Sequence, residues 1–140
     1  MNNNIKNVLA VIVGVIVGSL LNGALISISG KVIPPPEGVD VKTLEGLQEG
    51  IHLFEPKHFL FPFLAHALGT LLGAFVAAKI ASSSKGIPSF VVGVLFLIGG
   101  ISMCFQVPAP TWFNVSDLVL AYIPMAFLGW KLGEIGKQKM

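Results

Sequence analysis

Residues 59–80 read FLFPFLAHALGTLLGAFVAAKI, and this stretch decides the fold. As a helix it spans about 33 Å, enough for the ~30 Å of a bilayer's hydrocarbon. Ahead of its terminal Lys79 it holds one ionisable residue, His66. Gly69, Gly73 and Ala77 follow at helical spacing, with Thr70 beside them, so one face is thin and carries the histidine. Small residues let helices approach closely in lipid, where packing rather than water exclusion drives association. The segment is expected to cross the membrane with this face against another helix.

On the N-terminal side, residues 8–28 are uncharged and form a first predicted span. Lys6 ahead of it, with Ser27 and Ser29 near its end, has the outline of a signal peptide. The run exceeds the usual apolar core of such peptides, and Gly14, Gly18 and Asn22 lie four apart on one face. A retained helix is therefore expected. Asn22 should turn into the bundle and hydrogen-bond a neighbour. Residues 30–57 form the longest connection. Pro34, Pro35 and Pro36 stop the first helix, and Asp40 or Thr43 caps a short surface helix reaching about Glu49. Gly46 and Gly50 weaken that helix.

On the C-terminal side, a polar turn at 81–86 leads to a third predicted span at about 88–105. It is thin at Gly93, Gly99, Gly100 and Ser102. Trp112 and Phe113 are placed at headgroup level. Asn114 or Ser116 caps a fourth helix at about 117–133, with Asp117 in its first turn, where the helix dipole favours an anion. The chain is thus read as one all-α membrane domain of four transmembrane helices. Leu64-Ala65-His66 aligns with Leu120-Ala121-Tyr122, and Leu72-Gly73 with Leu128-Gly129. That match raises a pair of parallel hairpin repeats, with His66 and Tyr122 at equal depth. Lys6, Lys79, Lys85, Lys131, Lys137 and Lys139 fall on the side of both termini, against Lys31, Lys42 and Lys57 opposite. The lysine bias predicts cytoplasmic termini and an outward long loop.

Composition narrows the function. Of the 140 residues, 54% are hydrophobic and 11% charged, against about 25% charged in soluble chains. A net charge of +2, placed at helix ends, gives no footprint for nucleic acid. The single cysteine, Cys104, excludes an intrachain disulfide and reads as a packing residue. No phosphate-binding loop or dinucleotide fingerprint occurs, so no cofactor is expected. Ser82, Ser83 and Ser84 lie across the membrane from every histidine, which leaves no serine–histidine pair. Glu55 and His58 are the only pair with metal-ligand spacing, and Pro56 stands between them, so no metal is expected. His58 and His66 sit roughly 12 Å apart if both are helical.

Ionisable groups inside membrane helices are functional candidates. His66 leads, with Tyr122, Asn22, Thr70 and Asp117 as partners from other helices and His58 and Trp112 at the outward mouth. Two readings follow. In the first, a small solute, lipid or ion is bound or transported through a mouth above His66, and transport by so small a bundle implies a homo-oligomer. In the second, the glycine faces at Gly14, Gly18, Gly69, Gly73 and Gly99 pack against a larger membrane complex as a structural or accessory subunit. Neither reading makes the protein an enzyme; an enzyme acting on a lipid or isoprenoid within the bilayer is a third reading, for which no recognisable pair of catalytic groups occurs.

The strings IPPPEGVD, LFEPKHFLFPFLAHALGTLLGAF, PAPTWF and DLVLAYIPMAFLGWKL resemble a family of small bacterial four-helix integral membrane proteins. The resemblance covers most of the chain. It implies a bacterial inner (plasma) membrane location and no particular activity. A fainter similarity, to the small fluoride channels, rests on Gly69-Thr70-Leu71 and Gly73-Ala74-Phe75. The channels' asparagine falls on Leu72 or is absent, and their first-helix arginine has no counterpart.

Overall fold

The computed structural model describes residues 1–135. Among them every regular element is helical: α1 (Asn3–Val32), α2 (Leu44–Gly50), α3 (Leu60–Ile80), α4 (Gly86–Gln106), α5 (Thr111–Leu120) and α6 (Ile123–Glu134). Short 3₁₀ turns at Ile51–Leu53 and Pro56–Phe59 link α2 to α3. Four stretches, Asn3–Val32, Pro56–Ile80, Gly86–Gln106 and Thr111–Glu134, are long and apolar enough to cross a bilayer. The protein is an all-α, four-helix bundle of the integral membrane type.

α1 is longer than the apolar run that predicts it. Asn2 accepts a hydrogen bond from Asn4 N at 2.9 Å and starts the helix among polar residues. The helix then continues until Ile33 turns extended, as the residue before a proline prefers. At 30 residues it is about 45 Å long, so its ends exceed the hydrocarbon.

α1 crosses α3 where both are thinnest. A Cβ on Gly14 would stand 2.6 Å from Gly73 O, and one on Gly18 would stand 2.5 Å from Gly69 O. Both neighbours are backbone and cannot yield. Val92 and Phe96 of α4 close the crossing from the third side. Gly99 differs from the expectation that grouped it with these residues. A Cβ there would meet nothing within 4 Å, and it is Gly100 that makes room, for the Tyr122 ring. Ser89, fully buried, joins α4 to α3 by donating to Ala74 O at 2.9 Å.

The fourth span departs most from expectation. It begins at Thr111 rather than near 117, and it is two helices meeting at Ala121 and Tyr122. Pro124 has no N–H for Leu120 O, and its ring clashes with that carbonyl, which breaks a helix. Tyr122 takes φ −117° and ψ −78° at the break. The start moves because Pro110 precedes Thr111 and opens the helix there, so neither Asn114 nor Ser116 is a cap. Asp117 lies in the second turn, 4% exposed, not in a first turn facing water.

The loop after α1 is folded. Thr43 Oγ1 accepts from Gly46 N at 3.0 Å and caps α2. The two glycines of α2 are there for space: a Cβ on Gly46 would strike Asp40 O, and one on Gly50 would strike the Val39 side chain. Ile51, Phe59 and Val107 form a small core with Leu47, Phe54, Ala109 and Phe113 around it. At the other end, Asn7 bonds Ser82 N at 3.2 Å and Ser83 O at 3.3 Å. Trp130 and Glu134 stand beside Ser84 and Lys85 there. The start of α1, the turn after α3 and the end of α6 therefore share one side. Lys137 and Lys139 lie outside the described residues.

Candidate functional site

Asp117 organises the polar interior. One carboxylate oxygen, Oδ1, lies 2.8 Å from His66 Nδ1, and Oδ2 accepts from Tyr122 OH at 2.9 Å. A carboxylate only accepts, so His66 holds its hydrogen on Nδ1. The His66 and Tyr122 rings stack at 5.9 Å with 25° between their planes. Three elements converge: α3 brings His66, α5 brings Asp117, and the α5–α6 break turns Tyr122 back onto Asp117. In an unbroken helix, residues five apart point in different directions. The break is what lets one side chain bond the other. The His66 and Tyr122 rings, paired in the sequence alignment, lie side by side, but α3 is continuous and its counterpart is broken.

A cavity of about 350 Å³ lies against this chain. Asn22 of α1, His66, Gly69 and Thr70 of α3, Phe96, Gly99, Gly100, Ser102, Met103 and Gln106 of α4, and Tyr122 line it. His66 Nε2 has no hydrogen-bond partner among the described residues. Asn22 Oδ1 is buried and also has none, so the bond expected from it to another helix is not made. Thr70 gives its hydroxyl hydrogen to His66 O at 2.7 Å. Gln106 folds back on Ser102, donating to its hydroxyl at 2.8 Å.

His58 and Trp112 are not part of this site. The His58 ring accepts from Glu55 N at 2.8 Å through Nδ1, and its Nε2 meets Pro34 O at 3.1 Å. With Nδ1 accepting, Nε2 is the donor, and both nitrogens are engaged. The ring pins the proline segment to the start of α3. Glu55 pairs instead with Lys57 at 3.3 Å. These are loop contacts, and no group of three or more metal-ligating side chains occurs among the described residues. His58→Ala should therefore cost about 1–2 kcal/mol through two lost hydrogen bonds. It should leave the His66 ring signals in an NMR spectrum unshifted, and a shift there would tie the loop to the site.

The open mouth expected above His66 is filled. Phe59 contacts Phe113 at 4.7 Å and Trp112 edge-on at 5.5 Å, and Phe54 lies 5.5 Å from Phe59. Aromatic residues placed for a mouth pack together because burying their faces is worth more than leaving them around a hole. The cavity rim on α4 is the part that sequence reading missed. Gly99, Ser102, Met103 and Gln106 follow the i, i+3, i+4, i+7 spacing of one helix face, and that spacing is the signal for them. A larger concavity of about 740 Å³ runs along α4 beside Phe90 and Trp130. Its wall is mostly apolar, with Lys85 and Glu134 at one end, and it carries none of the His66 chemistry.

No protein-family model, curated protein or solved structure matches this chain.

Proposed function

We propose that this is a small bacterial inner-membrane protein, both termini in the cytoplasm, that binds a small molecule in the cavity beside His66. The observation that carries the reading is that His66 and Tyr122, both bonded to Asp117 behind them, line a cavity of about 350 Å³. Ionisable groups are costly in lipid and mark sites of function. Binding pockets begin at about 300 Å³ and pair an apolar wall with a few placed polar groups. Structural glue would need the hydrogen bonds, but neither the space beside them nor a ring nitrogen left unpaired. The reading is binding: neither the Thr70 hydroxyl, which donates to His66 O, nor the Ser102 hydroxyl, which accepts from Gln106, is hydrogen-bonded to a His66 ring nitrogen. The bacterial origin rests on the motif resemblance, and the orientation on the lysine bias. Among the described residues that bias sets Lys6, Lys79, Lys85 and Lys131 against Lys31, Lys42 and Lys57.

Of the glycines that motivate the accessory-subunit reading, only Gly99 has open space at its Cβ. Gly14, Gly18, Gly69 and Gly73 face one another inside the chain. A partner complex would have to use other faces.

The test is native mass spectrometry after gentle extraction from the source membrane. Wild-type protein should carry a bound small molecule near one per chain or per oligomer. His66→Leu, folded by circular dichroism and gel filtration, should retain at least tenfold less. Equal occupancy in His66→Leu, or none in wild type, would overturn the reading.

A further inference from the structure

Resting on that binding reading, we infer that the occupant is a single-chain amphiphile. Its hydrogen-bond-donor head sits at His66, and its chain leaves sideways between α1 and α4 into the bilayer.

The route follows from which walls are closed. Toward the long loop the lining stops at Gln106, next to Val107 of the Ile51, Phe59 and Val107 core. Inward, it ends at the Gly14–Gly73 and Gly18–Gly69 crossing, closed by Val92 and Phe96. Behind, it meets His66 and Tyr122. On the α4 side its lining residues Gly99, Ser102, Met103 and Gln106 are all exposed. That rim runs from Gly99 to Gln106, the last residue of α4, so it opens between the middle of the span and its long-loop end. At about 350 Å³ the cavity is near the small end of ligand sites, room for a head and a short run of chain.

The head chemistry follows from the wall. Tyr122 has given its hydrogen to Asp117, and Thr70 has given its own to His66 O. Gln106 is engaged with Ser102. His66 in its neutral form offers the Nε2 lone pair, and Asn22 brings an amide oxygen without a donor. Ser102 Oγ–H and the Asn22 amide nitrogen can still donate into the cavity, but His66 Nε2, with the ring hydrogen on Nδ1, only accepts, so the head that reaches His66 is a hydroxyl or amine. An ether or ester, which can only accept, would leave His66 Nε2 without a donor at a cost.

The test uses purified protein in nanodiscs with ¹⁵N-labelled histidine. The His66 ring signals are assigned by their loss in His66→Gln. Dodecan-1-ol, its methyl ether and butan-1-ol are the probes. Both alcohols should shift the His66 signals, and the ether should not. Gly99→Phe and Ser102→Phe put bulk in the rim. Gly99 has open space at its Cβ and Ser102 is exposed, so the fold tolerates both. At least one variant should raise the half-saturating dodecan-1-ol by tenfold or more while butan-1-ol, held wholly inside, changes less than twofold. Dodecan-1-ol unaffected by both variants, both alcohols weakened alike, a shift with butan-1-ol alone, or equal binding of the ether would overturn this inference and spare the binding reading. No shift with any probe would overturn both.

Discussion

Gly14→Leu is expected to cost about 3 kcal/mol or more of folded-state stability, read as a lower midpoint in a detergent-to-SDS unfolding titration. Overpacking a tight interface typically costs about 1–3 kcal/mol, and more where nothing can move. Here the obstacle is Gly73 O at 2.6 Å from the new Cβ, with Ala77 and Val92 both at 3.2 Å. The remaining Leu atoms have no path except to push α1 off α3. Dispersion between helices falls off steeply with such a gap, and in lipid little else holds them together. Gly23→Leu is the control. It lies on the same helix with nothing within 4 Å of its Cβ, and Leu is the better helix former. Its midpoint should be unchanged or slightly higher. Equal midpoints for the two variants would mean that α1 and α3 do not meet at this crossing.

That contrast marks how far the sequence could be read. Gly14, Gly18, Gly69 and Gly73 repeat at helical spacing in two long apolar runs, and repetition shows a face without naming what it touches. Span lengths were legible because lipid sets them. The ends were less so, since α1 gains its extra turns from a cap at Asn2 and a stop at Pro34, outside the apolar run. The α5–α6 break was written in Pro124, yet a proline in a membrane helix is tolerated where neighbours satisfy the freed groups. Gly99 and Gly100 are adjacent and identical in composition. Only the position of Tyr122 on the far helix decides which of them is needed.

The site was legible as a roster more than as a geometry. His66, Asp117, Tyr122, Thr70 and Asn22 could be gathered as the polar groups near one depth. That Asp117 joins the first and third, while Thr70 bonds its own helix, depends on rotations that no spacing encodes. The outward aromatics show the reverse error. Trp112 and Phe113 look like part of an entrance in sequence because aromatics collect at interfaces, and Phe54 and Phe59 join them in space. In space they close it, and closure there makes the thin wall at Gly99 and Ser102 the open one.

Asp117→Ala should destabilise the protein by about 2–4 kcal/mol in the same titration, and its coupling to His66 should be larger than any other pair in the site. Removing the carboxylate leaves His66 Nδ1–H and Tyr122 OH without the acceptor they share. Each buried donor left unpaired costs about 1–3 kcal/mol. Removing His66 instead leaves a carboxylate, 4% exposed, with Tyr122 as its remaining partner. Breaking a buried pair from that side costs about 3–5 kcal/mol. Once one partner is gone the other has little left to lose, so His66→Ala/Asp117→Ala should fall short of the summed single effects by about 1–3 kcal/mol. Thr70 shows the opposite pattern, because its hydroxyl bonds the backbone of its own helix: Thr70→Val and Asp117→Ala should add. Additivity between His66 and Asp117 would mean that their 2.8 Å contact is not formed in the membrane. The cavity would then lose the fixed ring nitrogen on which both the binding reading and the lateral amphiphile depend.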